Sequence, residues 1–212
     1  MTEEDEENNT ISCKVVLIGN SGVGKTSIIN QYISDEFNDE QITTTGSTFC
    51  TKIMKFEEKN AEISFEIWDT AGQEKYRCLT KIFYKNASII ILVYDITRKD
   101  SFEDIKNYWF NEIKESSNEN IILAIVGNKS DLINEEEVNE NEVRNYAEEK
   151  GMFFYSTSAK MKEGINELFN NVGLKFLEKY EQNNDDIFSS RSNTKIENVN
   201  NTTNEKKRNC CK

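Results

Sequence analysis

Three observations predict an α/β layer fold with a mostly parallel sheet. Strand-like and helix-like patterns alternate through residues 12–180 of the 212-residue chain, as they do when helices cross over between strands. Several strand candidates are continuous apolar runs, the mark of strands buried on both faces. A glycine-rich loop lies between the first of these runs and the first helical pattern, the context that a phosphate-binding loop requires.

The elements follow in order. Residues 1–11 are polar, with Glu3, Glu4, Asp5, Glu6 and Glu7 forming a solvated acidic arm. Cys13 to Ile18 is a buried strand that ends at Gly19. Ile28, Ile29 and Tyr32 fall on one face of a helix over Thr26–Tyr32. Phe49–Phe56 and Ala61–Trp68 read as two strands, with Phe49, Thr51 and Ile53 on one and Ile63, Phe65 and Ile67 on the other at period two. Glu57 to Asn60 form the turn between them. Ser88–Tyr94 is another buried strand, followed by a helix over Phe102–Lys114 with Ser101 and Asp104 as its capping pair. Ile121–Val126 is a fifth strand, Glu142–Lys150 a helix stopped by Gly151, and Phe153–Tyr155 a sixth strand. A last amphipathic helix spans Gly164–Tyr180, with Ile165, Leu168, Phe169 and Val172 on one face. Residues 181–212 turn polar and read as a flexible tail.

Composition narrows the function classes. A net charge of −12 argues against nucleic-acid binding, which needs basic surface to displace counterions. It also argues against attachment to an anionic membrane by charge alone. No run is apolar for long enough to span a bilayer, and the N-terminus carries neither a basic nor an apolar leader segment. The chain is expected on the cytosolic side, with Cys13, Cys50 and Cys78 as scattered reduced thiols. The absence of histidine excludes an imidazole base or ligand.

Four segments carry chemistry. Gly19-Asn20-Ser21-Gly22-Val23-Gly24-Lys25-Thr26 fits G-x-x-x-x-G-K-[ST]. Its glycines let successive N–H groups form an anion nest, and the helix that follows adds its N-terminal dipole. Lys25 can reach β- and γ-phosphates, the Thr26 hydroxyl can ligate Mg²⁺, and Ser27 continues the site. Asp69-Thr70-Ala71-Gly72-Gln73-Glu74 follows a strand. There Asp69 can hold the metal through a water, the Gly72 N–H can approach the γ-phosphate, and Gln73 can orient a water. Asn128-Lys129-Ser130-Asp131 comes just after the fifth strand, and the Asp131 carboxylate can accept from guanine N1–H and N2. Adenine lacks that pair of donors and would leave the carboxylate unsatisfied. Ser158-Ala159-Lys160 follows the sixth strand, where the Ala159 N–H can donate to guanine O6.

In this order the four segments resemble the Ras superfamily over about residues 12–180, and the finer match is to Rab proteins. Val93-Tyr94-Asp95-Ile96-Thr97, Ile67-Trp68-Asp69-Thr70-Ala71-Gly72-Gln73-Glu74, Phe83-Tyr84-Lys85-Asn86-Ala87 and the terminal Cys210-Cys211-Lys212 look like Rab signatures. The resemblance implies a P-loop NTPase fold, with a six-stranded sheet, about five helices and two loops that change shape between GTP and GDP. It implies that Thr44 ligates Mg²⁺ and senses the γ-phosphate, that Phe37 packs on the guanine edge, and that Gln73 is the catalytic glutamine. It implies an exchange factor, a GTPase-activating protein, a GDP-dissociation inhibitor or escort, and effectors, acting on a monomer that cycles between cytosol and the cytoplasmic face of intracellular membranes. Thr45-Gly46-Ser47-Thr48-Phe49 departs from the usual Ile-Gly-Val-Asp-Phe and bears on partner choice. Gln41 stands where an aromatic often covers the nucleotide, so the loop is expected to close less tightly.

Cys210 and Cys211 with one residue after them do not form a C-a-a-X box. They resemble the doubly geranylgeranylated end of Rabs, and two chains give a durable anchor where one gives a marginal one. Lys206, Lys207 and Arg208 can add attraction to an anionic surface. The function expected is a GTP/GDP switch in vesicle traffic, with slow intrinsic hydrolysis because no arginine stands out as acting in cis. The alternative is a GTP-binding scaffold with little or no hydrolysis, against which Gly72 and Gln73 speak. A nucleotide kinase would not need N-K-x-D.

Overall fold

The computed structural model describes residues 10–39, 44, 46–70, 83–116 and 120–200, with 184–200 as backbone alone. Contacts divide the chain into two compact units, Met1–Phe176 and Leu177–Lys212.

Strand β1 (Thr10–Ile18) begins before the apolar run does. Thr10 and Ser12 extend it by donating side-chain hydrogen bonds to Glu62 (3.3 Å) and Glu66 (2.6 Å). Helix α1 (Lys25–Ser34) ends at Asp35, which takes the left-handed conformation at φ 62°. Strands β2 (Thr48–Phe56) and β3 (Ala61–Asp69) pair antiparallel across a 3₁₀ turn, Glu57–Lys59. Strand β4 (Ile89–Asp95) is buried at all seven positions, as its unbroken apolar sequence predicts.

A helical stretch then runs as α2 (Lys99–Asp104), a π-helical turn Ile105–Trp109, and α3 (Phe110–Ser116). Ser101 is therefore not its cap. It sits in the first turn, where its hydroxyl donates to the Arg98 carbonyl (2.6 Å) and accepts from the Asp95 N–H (3.1 Å), tying the end of β4 to the helix. Strand β5 (Ile122–Asn128) leads to a 3₁₀ segment, Ser130–Glu135. Helix α4 (Glu140–Lys150) starts two residues before Glu142, because the Asn139 side chain caps the N–H groups of Asn141 and Glu142. Gly151 ends it at φ 67°. Strand β6 (Phe153–Ser156) and helix α5 (Ile165–Asn200) are the last elements among the described residues. The α5 helix is assigned well past the expected stop at Tyr180. Gly173 is the last glycine and the chain has no proline, so neither of the strong helix breakers stands after Tyr180.

The six strands form one sheet in the order β2-β3-β1-β4-β5-β6, parallel except for β2. The expected six-stranded, mostly parallel sheet is present, with five α-helical segments among the described residues. Ile63, Phe65 and Ile67 of β3 are fully buried, as read from their alternation. The corresponding face of β2 turns outward instead, leaving Phe49 51% and Ile53 60% exposed. Parallel order aligns the carboxyl ends of β1, β4, β5 and β6 along one edge, and the phosphate and base motifs all start there.

Under β2 and β3, Tyr32 of α1 stacks on Phe169 of α5 with centroids 3.7 Å apart and planes 6° apart. The Lys52 ammonium lies 3.9 Å from the Tyr32 ring centroid. Burial pushes the Tyr32 phenol from its ordinary 10.0 up to about 12. The folded chain thus keeps this proton after the unfolded chain has lost it. The associated stability is complete below pH about 10 and is lost as pH rises through about 12. Tyr32→Phe is expected to flatten the alkaline fall in the urea midpoint across that window; an unchanged slope contradicts the assignment.

Candidate functional site

The phosphate loop is shaped by what it must pass. At Gly19 an added Cβ would lie 2.1 Å from the carbonyl oxygen of Val93, so only glycine lets the chain leave β1 against β4. At Gly24 the backbone is left-handed (φ 95°), and a Cβ would lie 2.2 Å from Asn128 Nδ2. Gly24 is the N-cap of α1 and supplies no side-chain cap. The first N–H groups of the helix are thereby left for a ligand.

A cavity of about 350 Å³ opens over this loop. One end is walled by Ser21, Gly22, Gly24, Lys25, Thr26 and Ser27, and the other by Asn128, Lys129, Asp131, Ala159 and Lys160. Phe37 and Thr44 stand beside them. Residues far apart in sequence and assigned to one ligand therefore line one space. Asn38, Asp39, Thr70 and Leu132 also line it and were not foreseen. Val23 is fully buried behind the loop and contributes its carbonyl. Gly72, Gln73, Gln41, Cys78, the basic run Lys206–Arg208 and Cys210–Cys211 lie outside the described residues.

Lys25 is 5% exposed, and its ammonium donates to the carbonyls of Gly19 (2.8 Å) and Asn20 (2.9 Å). Burial pulls its pKa down to about 8, against the pull of Asp69. The hydroxyl of Thr26 donates to Asp69 Oδ2 (2.6 Å) and lies 2.7 Å from that of Thr44. The Thr44 hydroxyl is 3.5 Å from the same carboxylate oxygen. Burial raises the Asp69 pKa, partly offset by hydrogen bonds from Thr26 and by the Lys25 charge. Asp69 is 2% exposed, and its Oδ1 has no hydrogen-bond partner among the described residues. Two hydroxyls and a buried carboxylate with an unused oxygen make a hard-oxygen set, which fits Mg²⁺. Among the described residues no group of three or more Cys, Asp and Glu forms a metal site. A cation here would thus rely on hydroxyl, water and phosphate oxygens.

At the other end Asn128 is buried and joins three segments. Its Nδ2 donates to the Val23 carbonyl (2.9 Å), and its Oδ1 accepts from Thr157 Oγ1 (3.2 Å) and the Ala159 N–H (3.3 Å). Ser158 is fully buried, donates to the Asp131 carboxylate and accepts from the Met161 N–H (3.0 Å). Ser158 thus orients Asp131 and does not line the cavity itself. Lys129 adopts φ 68°, and its ammonium pairs with Asp95 Oδ2 at 2.5 Å. Asp95 is 1% exposed and its other oxygen accepts from the N–H (3.0 Å) and hydroxyl (2.8 Å) of Thr97. Asp95 is a further residue of the site, marked in the sequence only as a carboxylate ending an otherwise apolar strand.

The fold and the cavity define a nucleotide-binding protein of the phosphate-loop kind, with the Asp131 carboxylate at the end away from the loop. The Ras family model matches residues 14–178. The chain is 46% identical to Ras-related protein Rab-21 of Bos taurus over 76% of this chain and 71% of that one. It is 41% identical to GTP-binding protein ypt5 of Schizosaccharomyces pombe over 78% of each. It is also 41% identical to Ras-related protein RHN1 of Nicotiana plumbaginifolia over 76% of this chain and 79% of that one. The chain belongs to the Ras family, and within it is a Rab-like small GTPase of vesicle traffic that binds GTP and GDP and hydrolyses GTP.

Gly24→Ala is expected to weaken GDP binding by about thirtyfold or more. It adds left-handed strain and breaks the Asn128–Val23 tie, each costing roughly 1–3 kcal/mol. Titration with a fluorescent GDP checks this, and wild-type affinity would contradict it.

Proposed function

We propose that the switch works through the residues gathered at this cavity. The N–H groups of Gly22 to Lys25 and the Lys25 ammonium grip the β- and γ-phosphates. The hydroxyls of Thr26 and Thr44 and, through a water, Asp69 would hold Mg²⁺, which when bound supplies positive charge against the phosphate oxygens. Asp131 selects guanine, the Ala159 N–H would be shared between Asn128 Oδ1 (3.3 Å) and guanine O6, Lys129 flanks the base, and Phe37 covers its edge. Gln73 orients a water for in-line attack on the γ-phosphorus; the bond to the β–γ bridging oxygen breaks and inorganic phosphate leaves. Thr44 and the Gly72 N–H then lose their shared ligand and both loops relax. The observation that carries this reading is that Lys25, Thr26 and Thr44 line one cavity with Asn128 and Asp131. Asp69 lies within hydrogen-bond distance of both threonines.

Single-turnover hydrolysis of GTP tests it. Gln73→Leu is expected to slow the chemical step by about tenfold to a hundredfold with GTP affinity retained, and chelation of Mg²⁺ to speed GDP release. Equal rates for variant and wild type would remove Gln73 from the mechanism.

The same reading extends to partners and place. Phe49, 51% exposed, packs on Trp68 (5.0 Å), which packs on Phe83 (5.7 Å). An exposed Phe49 on half-buried Trp68 and Phe83 suits effectors that read the nucleotide state, and the divergent Thr45–Phe49 segment would set which ones. An exchange factor, an activating protein and an escort complete the cycle of a monomer. Among the described residues no helix is long and apolar enough to cross a membrane. Residues 181–212 act as a variable tail whose Cys210 and Cys211 carry prenyl groups, placing the domain on the cytoplasmic face of intracellular membranes. Mass spectrometry of protein from its own cells is expected to find both thiols modified. Removing the last three residues should shift the protein to the cytosol, and unmodified thiols would end the claim.

A further inference from the structure

The phosphate loop is held from outside the cavity by the helical stretch that follows β4. Arg98, just before α2, donates from Nη1 to the carbonyl of Ser21 (2.8 Å), 77 residues away in sequence. Its other arm pairs with Asp100 Oδ2 at 2.7 Å, which fixes the guanidinium plane. The guanidinium also lies beside Gly22, where an added Cβ would be 3.7 Å from Nη1. Two further grips reach Asn20, which is 8% exposed. Its Nδ2 donates to Asp104 Oδ2 (2.8 Å), and its Oδ1 accepts from the Trp109 indole N–H (3.3 Å). Asp104 precedes the π-helical turn and Trp109 is its last residue, in a form that recurs at functional sites.

The geometry of one peptide group gives the contact with Ser21 its meaning. In a trans peptide the carbonyl of Ser21 and the N–H of Gly22 point in opposite directions. Ser21 and Gly22 line the cavity and Arg98 does not. Holding the carbonyl outward therefore aims the Gly22 N–H inward, toward the phosphates. If that peptide flipped, a carbonyl oxygen would face the phosphate oxygens in place of a donor. We propose that Arg98 is a positioning residue for nucleotide retention: by holding the Ser21 carbonyl it keeps the Gly22 amide facing the phosphates of bound guanine nucleotide. This inference rests on the phosphate-loop roles proposed above. A bare surface pair with Asp100 would be worth little; a charged donor on a loop carbonyl that sets an amide's direction is worth more.

The test uses the full chain and measures release of a fluorescent GDP in the presence of Mg²⁺. Arg98→Ala is expected to speed release by about ten- to twentyfold, the lower end of the range for a lost charge-assisted hydrogen bond because the Arg98 side chain is partly exposed. Arg98→Lys, which keeps a cationic donor, should stay within about threefold of wild type. The ratio of GDP to IDP affinity reads the Asp131 end, because IDP lacks the 2-amino group, and it should not change. Release from Arg98→Ala at the wild-type rate overturns the assignment. So does a change in the GDP to IDP ratio as large as the change in release, since that signals general loosening. If Arg98→Ala does not fold, Arg98→Gln carries the same expectation of faster release, and a wild-type rate there overturns it. Wild-type protein that fails to prefer GDP over ADP would instead sink the assigned base and phosphate contacts, a result distinct from any behaviour of the Arg98 variants.

Discussion

The site depends on one buried amide. Asn128 ends β5, and its three hydrogen bonds reach the phosphate loop at Val23, the segment after β6 at Thr157, and Ala159. At 1% exposure it has no water to fall back on, so each bond lost leaves a polar group stranded at a cost of about 1–3 kcal/mol. Phosphate recognition and base recognition are separate chemistries built on separate loops, and this side chain sets the distance between them. Gly24 is the complementary constraint, because any side chain there would occupy the space of the Asn128 amide.

Around that bridge, charge is stored where water is absent. The Lys25 ammonium is buried among carbonyls and its pKa falls, while the Asp69 carboxyl is buried and its pKa rises. Each group is less comfortable as an ion than it would be in solvent. In the proposed reading a triphosphate near Lys25 and a divalent cation held through a water by Asp69 would offset both penalties. An acidic chain, net −12, can therefore bind a polyanion. The positive charge that matters is one ammonium inside a nest of amides, with Lys129 and Lys160 along the wall, and bulk charge is irrelevant at that range.

The contiguous part of the site was legible in the sequence because its function demands adjacency. A nest needs consecutive amides, and a base-reading carboxylate needs a fixed offset from the strand that carries it. The parts that were not legible are long-range. Asp95 meets Lys129, and Arg98, Asp104 and Trp109 meet the phosphate loop, only after the parallel sheet has brought β1, β4 and β5 together. Periodicity found the helix after β4 but not its π turn, since Phe102, Ile105, Trp109 and Ile113 all remain buried across it. In β2 both alternating sets contain apolar residues, Phe49 and Ile53 on one face, Cys50, Met54 and Phe56 on the other. Alternation gave the period there and could not choose the face. The choice was made by α1 and α5, whose Tyr32 and Phe169 pack on the inner side.

That outward face of β2 links the chemistry to the surface. In the antiparallel register Thr48 lies opposite Asp69 and Phe49 opposite Trp68. Successive residues on each strand point to opposite sides. One step along the ladder therefore leads from the carboxylate suited to the cation to Phe49, which is exposed and packs on the half-buried Trp68. In the proposed reading, a cation and γ-phosphate bound between Asp69 and Thr44 would act on the end of the strand pair that carries Phe49 and Trp68. The displacement need only be small, because a row of packed rings changes its contacts discretely. A partner docking on those rings would sense the nucleotide without touching it, and by linkage would favour the nucleotide state whose strand ends it fits.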